Sequence, residues 1–114
     1  IVLGFEVAHI GINCNDADES MSVSEKFNKA FDLSIKEGSS SNFASSEIEV
    51  MKSMYLGKNG HIAIRTNSIM AAIEELGKRG FEVDMSTAKF KGDRMVAVYL
   101  KDEFGGFAVH LLQK

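Results

Sequence analysis

Three histidines are the only imidazoles in the 114 residues: His9, His61 and His110. Each sits in a short alternating apolar run, "VAHIGIN", "HIAIRT" and "FAVHLLQ". Side chains alternate between the two faces of a strand. His9 therefore shares a face with Val7, Gly11 and Asn13, against Ala8, Ile10 and Ile12. His61 goes with Ala63 and Arg65, against Ile62 and Ile64, and His110 goes with Ala108 and Leu112, against Phe107, Val109 and Leu111. In "EIEVMK", Glu47, Glu49 and Met51 oppose Ile48 and Val50. One pattern thus recurs four times: an apolar face against a face that carries one His or Glu. The neighbours on the polar face are often small, as with Gly11, Ala63 and Ala108. Small residues leave volume beside a polar group, where a packed core would be filled.

Imidazole suits Zn, Fe, Ni and Cu, and a carboxylate compensates charge and suits Mn, Zn or Fe(II). His9, Glu49, His61 and His110 are accordingly the candidate metal ligands, for a divalent Zn, Ni, Mn or Fe. Taken singly, a histidine in a strand is more often a hydrogen-bonded core group than a metal ligand; the shared parity of all three and of Glu49 favours the ligand reading. Glu47 shares the parity of Glu49 and is a candidate catalytic base or an alternative ligand. Asn13, Arg65, Tyr99 and Lys101 are candidate substrate-binding residues for a carboxylate or phosphate. Arg65 and Lys101 stand near strand ends, where a solvated role is the more common one.

The elements that must position these residues come in two copies. "AHIGINCND" is echoed by "GHIAIRTNS", and an internal echo signals one supersecondary unit used twice. The first unit, residues 1–56, opens with the strand "FEVAHIGIN". A helix capped by Asp16 or Asp18 follows, with Val23, Phe27, Ala30 and Phe31 as its apolar stripe, then three short strands in 32–53. The second unit, residues 57–114, opens with "HIAIRT". Its helix is capped by Asn67 or Ser68, carries Ile69, Ala72, Ile73 and Leu76 on one face, and ends at Gly80. Strands "FEVDMST", "RMVAVYLKD" and "FAVHLLQK" complete it, with a turn at "FKGD". The expectation is an α+β fold of two βαβββ modules in one domain.

Composition narrows the partners. Hydrophobic residues make up 45% and charged residues 25% of the chain, with a net charge of −3. There is no basic stripe for nucleic acid, no apolar run long enough to span a membrane and no secretory signal pattern. The single cysteine, Cys14, forms no intrachain disulfide and fits a reducing, cytoplasmic compartment. The first residue is Ile and not Met, which suggests a part of a longer polypeptide.

The repeated unit with "HIGI" and "HIAI" opening each copy resembles the vicinal oxygen chelate superfamily, which includes glyoxalase I, extradiol dioxygenases and fosfomycin- and bleomycin-resistance proteins. That resemblance implies metal ligands on the first and last strands of each unit: His9, Glu49, His61 and one last-strand position. The last position is usually Glu in a D-P-x-G-N-x-x-E-L pattern, whereas this chain has "KDEFGGFAVHLL". Ungapped alignment places Val109 there; one extra turn residue places His110, which parity favours. "FEVAHIGIN", "IEVMKSMYLGKNGHIAIRTNSI" and "GGFAVHLLQK" more closely resemble the C-terminal domain of some bacterial KDPG/KHG (2-keto-3-deoxy-6-phosphogluconate/4-hydroxy-2-oxoglutarate) aldolases. The Schiff-base aldolase site of those proteins lies in a barrel that this chain is too short to contain.

The resemblance implies a metal-dependent lyase or isomerase of glyoxalase type, acting on a 2-oxo acid or sugar acid. It also implies a homodimer or an oligomer formed through the parent aldolase. The alternative is a non-catalytic ligand-binding or oligomerisation module with a degenerate metal site. A metal-free drug-binding role would need an aromatic cavity, which a 9% aromatic content without Trp does not favour.

Overall fold

The structure is a computed structural model that describes residues 2–114; Ile1 lies outside the described residues. The first module runs β1 (Glu6–Ile12), α1 (Ala17–Phe31), β2 (Ile35–Glu37), β3 (Ser41–Ala44) and β4 (Ile48–Met51). The second runs β5 (Gly60–Thr66), α2 (Ile69–Lys78), β6 (Val83–Lys91), β7 (Arg94–Phe104) and β8 (Phe107–Gln113). This is the expected α+β architecture of two βαβββ units.

Both helix starts are set by one side chain each. Asp16 accepts the Glu19 amide at 2.8 Å and Ser68 accepts the Ala71 amide at 3.2 Å. These bonds satisfy amides that the first helical turn leaves unpaired. Asp32 ends α1 in the left-handed region at φ 59°.

The eight strands form one sheet in the order β2-β3-β4-β1-β5-β8-β7-β6. The modules join along β1 and β5, which are antiparallel, with Gly11 opposite His61 and His9 opposite Ala63. β4 lies parallel to β1 with Glu49 beside Gly11, and β8 lies parallel to β5 with His110 beside Ala63. The seam therefore brings strands from both modules side by side at the centre of the sheet.

The helices cover the flanks of one face. Under α2 lies the main core of Ile69, Ala72, Met95, Val98 and Leu111, edged by Ile64, Ile73 and Leu76. Burying side chains of this size contributes about 1.5–3 kcal/mol each. The expected stripe of α2 is thus the packed one.

The stripe expected of α1 needs correction. Its fully buried residues are Ser20 and Ser24, while Ala30 is exposed and Phe31 is 68% exposed. The cause is a polar partner on the sheet. Asn42 of β3 is completely buried and donates to Ser20 Oγ at 3.1 Å, and Ser20 donates to the Val50 carbonyl at 2.7 Å. The helix turns its hydroxyl face to this network, because a buried amide without partners costs more than the apolar contact it displaces.

A second correction concerns β1. Its apolar face is not covered by a helix at Ile10, which stays 42% exposed. α1 packs over β2, β3 and β4 and α2 over β7 and β8, so the back of the central strands lies between them. β6 and β7 also run further than the sequence suggests, forming one long hairpin that turns at 92–93. Among the described residues, no helix is long and apolar enough to cross a membrane.

Candidate metal centre

On the face opposite the helices, the central strands place a row of small residues beside large polar ones. Gly11 is essential to it. A Cβ on Gly11 would fall 2.0 Å from Cε1 and 2.3 Å from Nδ1 of His61. The imidazole of His61 thus lies flat in the space that the missing side chain leaves, and it is 97% hidden from solvent.

Three donor atoms converge beside it. His9 Nε2 and His61 Nε2 stand 3.2 Å apart, and Glu49 Oε1 lies 3.3 Å from the first and 3.1 Å from the second. His110 joins from β8, and one nitrogen from each of the three imidazoles lies within 4.8 Å of the others. The rings meet edge to face, with centroids 5.2 Å apart for His9–His61 and His61–His110 and 5.8 Å for His9–His110. His110 pairs in register with Ala63 and Tyr99, whereas Val109 pairs with Ile62. His110, and not Val109, is therefore the β8 residue beside the other two imidazoles, while Glu49 Oε1 stands with His9 and His61.

The electrostatics suit a cation. Burial opposes ionisation of Glu49, but hydrogen bonds with His61, His9 and Ser41 outweigh it and hold its carboxyl well below the usual range. Burial, followed by the neighbouring His61 and His9, pushes His110 down to about 3. The cluster thus offers an anionic oxygen and an imidazole that stays neutral with its lone pair free. Among the described residues, Nε2 of His110 and Nδ1 of His61 are buried with no hydrogen-bond partner. Buried polar atoms are normally paired, so the orphaned Nε2 of His110, on a ring packed against His9 and His61, is consistent with a ligand atom; Nδ1 of His61 lies on the Gly11 side, away from the edge that faces His9 and Glu49.

The spacing fits as well. Two donors held about 2.0–2.2 Å from one ion stand roughly 3.0–3.5 Å apart, and the His9–His61–Glu49 triangle has edges of 3.1–3.3 Å. Two protonated Nε2 groups aimed at one carboxylate oxygen would set like dipoles against each other at 3.2 Å. A single divalent cation relieves that conflict, and the residues present fit one.

The wall around the cluster is partly aromatic. Tyr99 stacks on His110 at 4.5 Å and 13°, and Tyr55 of the β4–β5 linker meets Tyr99 edge-on at 6.2 Å. Burial raises the Tyr99 hydroxyl to about 12, so it remains a donor. Phe43 of β3 stands edge-on to His9 at 5.9 Å.

The other sequence candidates lie at varying removes. Asn13 donates to the linker carbonyl of Gly57 at 3.0 Å, fixing the segment that carries Tyr55. Arg65 pairs loosely with Glu6 at 3.4 Å, and Lys101 pairs with Glu82 at 3.2 Å; both are partly solvated. Glu47 is exposed in the turn before β4, where its carbonyl accepts the Ile10 amide; among the described residues its side chain makes no hydrogen bond to the cluster.

Sequence reading missed Ser41, Phe43, Tyr55 and Lys89. Ser41 donates to Glu49 Oε2 at 2.7 Å. Lys89 lies across from Ala97, Ala97 across from Leu112, and Leu112 beside Arg65, one row along from Tyr99 and His110. Its charge is felt at His110. The register of β6 shifts between Asp84 and Lys89, so alternation counted from "FEVDMST" does not reach Lys89. Ser41 and Phe43 share Glu49's face only through the β3–β4 register, which no single strand reveals.

No family model matches the chain, and no curated protein matches it in sequence. Solved structures do match it in fold. The hypothetical protein BH1468 from Bacillus halodurans C-125 superposes with a TM-score of 0.68 at 16% identity, over 97% of this chain and 95% of that one. A methylmalonyl-CoA epimerase in complex with methylmalonyl-CoA and NH4+ gives 0.66 at 14% identity, over 100% and 96%. The Streptomyces coelicolor methylmalonyl-CoA epimerase, in complex with 2-nitronate-propionyl-CoA, gives 0.65 at 14% identity, over 100% and 99%. The chain has the glyoxalase-like fold of these epimerases across its whole length.

Proposed function

We propose that the chain is a divalent-metal-binding, glyoxalase-like domain that takes a small metabolite offering two neighbouring oxygens, of 2-oxo acid or sugar-acid type. The observation that carries this reading is the convergence of His9, His61 and Glu49 at 3.1–3.3 Å with His110 beside them. His9, Glu49, His61 and His110 would hold the ion. When bound, such an ion supplies Lewis-acid stabilisation of a developing enolate or oxyanion. The chain's own groups then bind and orient. Tyr99 offers a protonated hydroxyl over His110. Lys89 and Arg65 give positive charge at one end of the face, for a carboxylate or phosphate. Asn13 holds the linker, and Lys101 extends the same wall. Glu47 is the proposed base, in the turn that leads to the ligand strand.

The resemblance to the domain that follows a KDPG/KHG aldolase barrel supports a 2-oxo or sugar acid, a cytoplasmic lyase or isomerase setting and assembly through such a parent. An acyl-CoA of the kind bound by one structural neighbour offers the same pairing of carbonyl and carboxylate oxygens. A second reading, a ligand-binding module without catalysis, is favoured by one observation: among the described residues, no second carboxylate hydrogen-bonds to the cluster.

Metal analysis of the purified chain tests the first reading. Stoichiometric Zn, Ni, Mn or Fe(II), lost in His110→Ala, is the expected result. No uptake from any of the four at saturation would sink it. Turnover of 2-oxo acids by the loaded chain, abolished by Glu47→Gln, separates the enzyme from the binding module.

A further inference from the structure

The two oxygens of Glu49 have different partners. Oε1 faces His61 and His9 at 3.1 and 3.3 Å, whereas Oε2 accepts the Ser41 hydroxyl at 2.7 Å. Ser41 opens β3, two residues before Phe43, the register partner of Glu49. It is only 6% exposed, so water does not compete well for this bond. A hydrogen bond that short to a carboxylate is charge-assisted and among the stronger ones.

Carboxylates bind metals through one oxygen or both. Three imidazole nitrogens and one carboxylate oxygen make four donors. On a six-coordinate ion this leaves two positions, the number that a ligand with two neighbouring oxygens requires. A carboxylate swung to two-oxygen binding would take one of them. We propose that Ser41 is a positioning residue that holds Oε2 off the ion and keeps Glu49 a one-oxygen donor, so that a chelating ligand finds both positions open. Outer partners of this kind commonly alter affinity or activity by about 10–100-fold when removed.

This inference rests on the metal-site reading, and the experiment separates the two. Metal-free wild type, Ser41→Ala and Ser41→Thr are titrated with Co(II), and the Co(II)-loaded proteins are then titrated with oxalate. The Co(II) visible spectrum and the oxalate affinity are read in each. The expected result for Ser41→Ala is a changed Co(II) spectrum and oxalate binding weakened about tenfold or more, with Ser41→Thr close to wild type. Ser41→Val against Ser41→Thr repeats the comparison at constant shape if the alanine variant fails to fold. Wild-type spectrum and oxalate affinity in both Ser41→Ala and Ser41→Val would overturn the proposal while leaving the metal site intact. Failure of the wild type to take up Co(II) would sink both.

Discussion

The imidazole of His61 occupies the place where Gly11 would carry a side chain, with Cε1 only 2.0 Å from that missing Cβ. The backbone of Gly11 is not in the left-handed region, so its requirement is one of space alone. Gly11→Ala must push the ring off β1 and away from Glu49. Overpacking of this kind costs about 1–3 kcal/mol, and ion affinity should fall more than about tenfold as His61 leaves the triangle. Denaturant unfolding and metal titration measure the two effects. Wild-type ion affinity in this variant would mean that His61 is not a ligand.

The histidine on β8 makes a pH-dependent contribution in the metal-free chain. Burial holds His110 down at about 3, from an ordinary 6.5. The unfolded chain takes up this proton around pH 6.5, but the folded chain does not until about pH 3. Its stabilising contribution is therefore complete above pH 6.5 and is lost as pH falls towards 3. Between pH 7 and 4.5 the metal-free wild type should lose about 2 kcal/mol more than His110→Gln does. Parallel urea-stability profiles for the two proteins would contradict this.

Removing the hydroxyl of Ser20 should separate folding from the candidate metal centre. Ser20→Ala leaves the buried Asn42 amide and the Val50 carbonyl without the partner each has now. A loss of about 1–3 kcal/mol in unfolding free energy is expected. Ion affinity of the folded variant should stay at the wild-type value, since Ser20 packs on the helix side of the sheet.

Lys89 is exposed and makes no ion pair among the described residues. Its proposed role is to attract an anionic ligand rather than to hold the ion. Lys89→Ala should weaken oxalate binding to the loaded protein by about two- to fivefold, the range of an exposed charge contact. Ion affinity should not change. Added salt should weaken the wild type more than the variant, and equal salt dependence would remove Lys89 from the ligand wall.

Much of this site could be read from strand parity. His9, His61, Glu49 and His110 each stand opposite a β-branched or bulky face, and the sheet brings all four to one side. The helix starts were legible to within two residues, as Asp16 or Asp18 and as Asn67 or Ser68, because a short polar side chain captures an amide locally; the structure selects Asp16 and Ser68. What failed depended on distant partners. The hydroxyl face of α1 is buried because Asn42 waits across the fold, and Ile10 is uncovered because the helices reach only the flanks. Gly11 was legible as a source of open volume, but that volume receives the His61 ring and not a ligand. Lys89 was lost behind a register shift.

The chain has no tryptophan and only two tyrosines. One stacks on His110 and the other lies 6.2 Å from the first. Near-ultraviolet emission from these 114 residues therefore comes almost wholly from a single corner of the fold. An ion taken up beside His110 would change the surroundings of Tyr99 directly, with Tyr55 one ring further out. The domain carries a built-in optical gauge of that corner, readable without labels or engineered probes.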